Sequence, residues 1–123
     1  MSSTAPRFAP EIANKGRWHV WLSGQIPANA QGNLIQGSTV EKAKAIIQNT
    51  EVILKEAGSG LDRDVKVVVY VKDAGVMPEF ASAYDPAFPH RPARSMVEVS
   101  KLPDGVDIQV DFIVVATWVT LET

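Results

Sequence analysis

The strongest constraint on this chain is a set of apolar side chains at helical spacing. Val40, Ala43, Ile46, Ile47, Thr50, Ile53, Leu54 and Ala57 recur at steps of three and four, which puts them on one face of an amphipathic helix. Ser38 followed by Glu41 has capping-box spacing at its start, so two orphan N–H groups can be satisfied there reciprocally. Gly58 suits the left-handed turn that closes such a helix.

The rest of the chain supplies strands for that face to pack on. Trp18, Val20 and Leu22 alternate with His19, Trp21 and Ser23 up to Gly24, a period-two pattern. Residues 28–37, rich in Asn, Gln and Gly, read as a loop. Val65 to Val71 is nearly continuous and β-branched, as expected of a strand central in its sheet. A short second helix is expected from about Pro78 to about Tyr84, where Asp85-Pro86 disfavours continuation. A proline-rich loop from Phe88 to Ala93 precedes a strand from about Arg94 to Ser100. A Pro103-Asp104-Gly105 turn then leads to a final strand from about Val106 to Val119, and the last two strands are expected to pair as a hairpin. The mixture predicts an α+β fold with a mostly antiparallel sheet and two helices on one face. The other face would carry Trp, Val and Ile side chains, and oligomerisation is the simplest way to bury it.

Composition narrows function by exclusion. The 123 residues fit one domain, 1–123, with residues 1–16 as an extended lead-in. No apolar run reaches the ~18 residues of a membrane span, and a net charge of −2 with a pI near 5.6 gives no basic field for nucleic acid. With no cysteine and two histidines, His19 and His90, neither a thiolate nucleophile nor a metal cluster is expected. The segment from Met1 to Pro10 has no apolar core of a secretory signal and one basic residue, Arg7, so a cytoplasmic location is expected.

Five segments in order then carry a family likeness: Ser23-Gly24-Gln25-Ile26-Pro27, Glu56-Ala57-Gly58, Val69-Tyr70-Val71-Lys72-Asp73, Pro92-Ala93-Arg94-Ser95 before Val97-Glu98-Val99, and Lys101-Leu102-Pro103 with Ile108-Gln109-Val110-Asp111. Over most of its length the chain resembles the Rid (YjgF) family of imine and enamine deaminases. The resemblance implies a chorismate-mutase-like fold and a homotrimer with clefts between subunits. It also implies hydrolysis of small 2-imino or 2-aminoenoic acids without a cofactor.

Arg94, in the most specific of these motifs, is implied as the anchor of the substrate carboxylate. Its planar guanidinium matches a carboxylate with two parallel hydrogen bonds and stays charged at any working pH. Ser23 and Gly24 are implied to line the pocket, with Gly24 either letting the backbone approach the ligand or forming a strand-end bulge. Asp111 falls where deaminating members carry a glutamate that positions water, one methylene longer; it is expected either to act on water or to sit in an interface salt bridge.

Three positions depart from the family pattern. A Tyr usual after an N-terminal Pro is matched by Glu11, a frequent Cys by Met96, and a frequent Asn before Tyr84 by Ala81. Met96 is thus a pocket-lining candidate without a thiol, and Glu11, Tyr84 and His90 are lesser candidates. Arg91 reads as solvated, His19 as packed or hydrogen-bonded, Gly58-Ser59-Gly60 as a helix stop, and Asp104 and Asp107 as turn and strand-edge residues. An isomerase on the same cleft, or a non-catalytic keto-acid-binding trimer, is the alternative to a deaminase.

Overall fold

The computed structural model describes residues 16–118; Glu11 lies outside the described residues. Two helices, α1 (Thr39–Glu56) and α2 (Met77–Tyr84), pack on a four-stranded sheet of β1 (Gly16–Gln25), β2 (Asp64–Val71), β3 (Ala93–Glu98) and β4 (Ile108–Trp118). The strand order is β1-β4-β2-β3. β4 runs antiparallel to both β1 and β2, while β2 and β3 are parallel.

Helix α1 starts and stops as its sequence dictates. Ser38 Oγ accepts the Glu41 N–H at 3.1 Å and Glu41 Oε1 accepts the Ser38 N–H at 2.8 Å, so the capping box is closed. At the other end the Ser59 N–H donates to the Leu54 carbonyl at 2.8 Å and the Gly58 N–H to that of Lys55 at 3.2 Å. With Gly58 at φ +75°, this is a Schellman closure. The buried face is Ala43, Ala45, Ile46, Thr50 and Leu54; Ile53, expected on it, is 38% exposed. Thr50 enters the core because its hydroxyl donates to the Ile46 carbonyl at 2.7 Å.

Alternation in the strands makes one core and one open face. Val67, Val69 and Val71 of β2 and Ile108, Val110, Phe112, Val114 and Ala116 of β4 lie buried in one cluster with Ala43, Ile46 and Leu54 of α1 and Phe80 and Tyr84 of α2. Both helices therefore cover the same face. The intervening residues of these strands, Val68, Tyr70, Asp111, Ile113 and Val115, are only partly buried.

The expected hairpin between the last two strands does not form. β3 lies at the sheet edge beside β2, and β4 lies on β2's other side. β2, α2 and β3 make a crossover unit, the connection that parallel strands require. Burial decides which strand takes the centre: β4 buries every second side chain, whereas β3 buries none fully. The strand with more apolar surface to cover is thus sandwiched between β1 and β2.

Candidate functional site

Arg94 is presented on the helix face. It is paired in register with Val67, and Met96 with Val69, both buried core positions, so Arg94 and Met96 point to the side that α2 covers. Met96 packs against the core. The Arg94 guanidinium lies 5.0 Å from the Tyr84 ring centroid, within cation-π range, and its Nη1 donates to Asp85 Oδ1 at 2.8 Å. The site therefore holds the cation by its face and by one terminal nitrogen. Among the described residues, the rest of the fork makes no side-chain hydrogen bond.

Aromatic stacking makes that platform rigid. The Tyr84 ring stacks on Phe88 at 4.3 Å and on Phe80 at 5.7 Å, and Phe88 on Phe112 at 6.1 Å. The Tyr84 hydroxyl is buried with no hydrogen-bond partner. Burial, and then the negative charge of Asp64, holds it well above the ordinary phenol range, with Arg94 pulling the other way. A cavity of about 440 Å³ opens beside this platform, walled by Tyr84, Asp85, Phe88, Arg91, Pro92 and Arg94 among others.

Asp64 lies behind the platform, 2% exposed, with neither carboxylate oxygen hydrogen-bonded. Burial pushes its carboxyl up from 3.8 to about 7, the nearby Val65 and Lys66 N–H groups only partly opposing this. His90, a lesser candidate in the sequence, has its Nε2 2.9 Å from the Asp64 carbonyl oxygen. A carbonyl can only accept, so this nitrogen carries the proton. His90 thus ties the loop to β2. No cluster able to hold a metal ion occurs among the described residues.

Ser23, Gly24 and Asp111 form a second constellation on the other face. The β1–β4 register shifts between Leu22 and Gln25, and Gly24 sits there at φ +70°, so this glycine lies in a strand-end bulge. Its N–H donates to Asp111 Oδ1 at 2.7 Å. Asp111 pairs with Val68, on the open face. Burial first, then the charge and hydrogen-bonding of Asp111, raises the Tyr70 phenol there. A hollow of about 200 Å³ includes Trp21, Ser23, Lys66, Val68, Asp111 and Ile113 in its wall.

Within one chain the candidates fall into two groups. Arg94, Met96, Tyr84 and the His90 loop are together; Ser23, Gly24 and Asp111 are together; the sheet lies between. Sequence reasoning missed Asp85 and Asp64. Asp85-Pro86 reads only as a helix stop, and Asp64 precedes the run that announces β2.

The chain matches the family model described as Endoribonuclease L-PSP over residues 4–116. It is 43% identical to Protein HMF1 of Saccharomyces cerevisiae over 95 residues, which is 76% of this chain and 74% of that protein. A RutC family protein of Pyrococcus abyssi is 38% identical over 96 residues, 76% of each chain. Among solved structures, that of yeast Mmf1 superposes with a TM-score of 0.79 at 39% identity, covering 94% of this chain and 95% of that one. The YjgF gene product of E. coli does so with a TM-score of 0.73 at 30% identity, covering 86% and 84%.

Proposed function

Because this chain belongs to the Endoribonuclease L-PSP family, the group of YjgF, RutC and Rid proteins, we propose that it hydrolyses 2-imino and 2-aminoenoic acids to keto acids and ammonia, as a homotrimer and without a cofactor. The observation that carries this reading is Arg94, lodged on Tyr84 with one nitrogen committed to Asp85 and the rest of its fork open beside a cavity. A substrate carboxylate accepts two parallel hydrogen bonds from such a fork.

Hydrolysis then needs a water aimed at the imine carbon. Asp111 supplies the acceptor: the Gly24 N–H holds one oxygen, the Tyr70 phenol is a further hydrogen-bond partner of the carboxylate, and its remaining lone pairs are those that would orient water. The water oxygen bonds to the imine carbon while one of its protons passes through Asp111 to nitrogen, giving a carbinolamine. The hydroxyl proton then moves to the amine as the C=O bond forms and the C–N bond breaks, releasing ammonia and the keto acid. Arg94 and Asp111 lie on opposite faces of one sheet, so each cleft would combine the Arg94 group of one subunit with the Gly24–Asp111 group of another. The open face supports association: Trp21 is 70% exposed and lies among Val68, Ile113 and Val115.

An enzyme that generates 2-iminobutanoate, coupled to this protein, should release keto acid faster than it does alone; equal rates contradict deamination. A second reading rests on the Gly24–Asp111 hydrogen bond, which occupies the N–H that a ligand was expected to meet. On that reading the cleft isomerises or only binds a keto acid, and NMR of a carboxylate panel would show turnover without ammonia, or none. A ribonuclease is not proposed, since a chain of net charge −2 offers a phosphate backbone no general attraction.

No helix among the described residues is long and apolar enough to cross a membrane. We assign the chain to the cytoplasm, although a relative 43% identical over 104 residues carries the name Protein MMF1, mitochondrial. Fractionation of the source cells decides between the two.

A further inference from the structure

The cavity beside Arg94 has a second cation in its wall that the proposed chemistry does not use. Arg91 lines it together with Arg94 and Asp85. Asp85 is already paired with Arg94 at 2.8 Å, and among the described residues Arg91 has no carboxylate partner. The wall thus holds one balanced pair and one uncompensated positive charge.

The backbone holds Arg91 in place. It sits at φ +53°, in the left-handed region that an arginine adopts only when its surroundings impose it. The Arg91 N–H donates to the Phe88 carbonyl at 3.0 Å, Phe88 is buried in the aromatic stack, and His90 is tied to the Asp64 carbonyl at 2.9 Å. Pro92, next in the chain, has its own φ fixed by its ring. With the loop ordered in advance, only the arginine's own side-chain freedom is lost on binding.

We infer that Arg91 is a second carboxylate subsite, so that this cleft takes 2-oxo and 2-imino acids bearing a carboxylate at each end. The inference rests on Arg94 as the anchor of the first carboxylate. A cavity of about 440 Å³ exceeds what a short monocarboxylic acid fills and lies in the ordinary size range of ligand sites. Tyr84 and Phe88 form its floor, and Arg94 and Arg91 offer two separate anion contacts along its wall.

Isothermal titration of the full chain with 2-oxobutanoate and 2-oxoglutarate tests this. The dicarboxylate should bind about fivefold tighter, the scale expected of one partly exposed ion pair. Arg91→Gln should bring the ratio of the two affinities to about one, Arg91→Lys should keep most of it, and Lys44→Gln, which removes an exposed charge from α1, should not change it. Equal affinities in the natural chain, or a ratio untouched by Arg91→Gln, would overturn the second subsite. If Arg94→Ala abolishes binding of both acids while Arg91→Gln leaves the ratio intact, only the second subsite fails. If Arg94→Ala leaves both affinities unchanged, the anchor and the subsite fail together.

Discussion

The two faces of the sheet were made by the same alternation of side chains and yet have different needs. On the helix face, Val67, Val69 and Val110 are fully buried, and the exposed chemistry gathers at one end, where Arg94 lies over Tyr84 beside Asp85 and Arg91. On the open face, Trp21 is 70% exposed beside partly buried Val68 and Ile113, and a carboxylate, Asp111, sits among them. The difference shows where one chain suffices. An arginine platform needs only rigid rings beneath it, whereas the open face leaves apolar surface in water, the surface that the proposed homotrimer would cover.

Arg94→Ala should have the largest effect. Loss of a charge-assisted, two-pronged contact costs about 3 kcal/mol, or roughly a hundredfold in keto-acid affinity. Titration calorimetry would show it, and an equal loss from Asp111→Asn would erase the division of labour between the faces.

Next comes Asp64→Asn, which probes the helix face alone. The folded carboxyl titrates near 7, above its ordinary 3.8, so the folded state holds the proton more tightly than the unfolded state. The stability penalty of the buried charge is therefore absent below pH 4, grows between pH 4 and 7, and is complete above that. Denaturant unfolding should find the Asn variant about 2 kcal/mol more stable at pH 8, after the cost of its own unpaired amide, and no more stable at pH 5. A variant equally affected at both pH values would contradict this.

How much of this was legible in the sequence depended on whether the cause was local. Ser38 with Glu41, Gly58, and the run from Val65 to Val71 are instructions read within a few residues, and α1 and β2 follow them. Pairing is not local: Pro103-Asp104-Gly105 reads as a hairpin turn, but β4 outcompetes β3 for the interior because its alternate residues are all apolar. Arg94 was singled out through its motif, as the proposed anchor. Asp85 and Asp64 were not, because what each does depends on where α2 and the His90 loop come to rest against the sheet.

The smallest expected effect sharpens the open face. Gly24 adopts φ +70° in its bulge, and a β-carbon there costs about 1 kcal/mol by backbone strain. Gly24→Ala should lower stability by that amount in denaturant unfolding and weaken the Asp111 contact. An alanine tolerated without loss would mean that the bulge is not held as described.

The central claim is that each cleft draws Arg94 from one subunit and Asp111 from another, and subunit mixing tests it directly. Arg94→Ala and Asp111→Ala chains, each inactive alone in the coupled imine assay, are unfolded together in equal amounts and refolded. A cleft is intact when one subunit kept Arg94 and its neighbour kept Asp111, each with a chance of one half, so activity should return to roughly a quarter of that of the natural chain. Activity no higher than that of either variant alone would contradict a shared site.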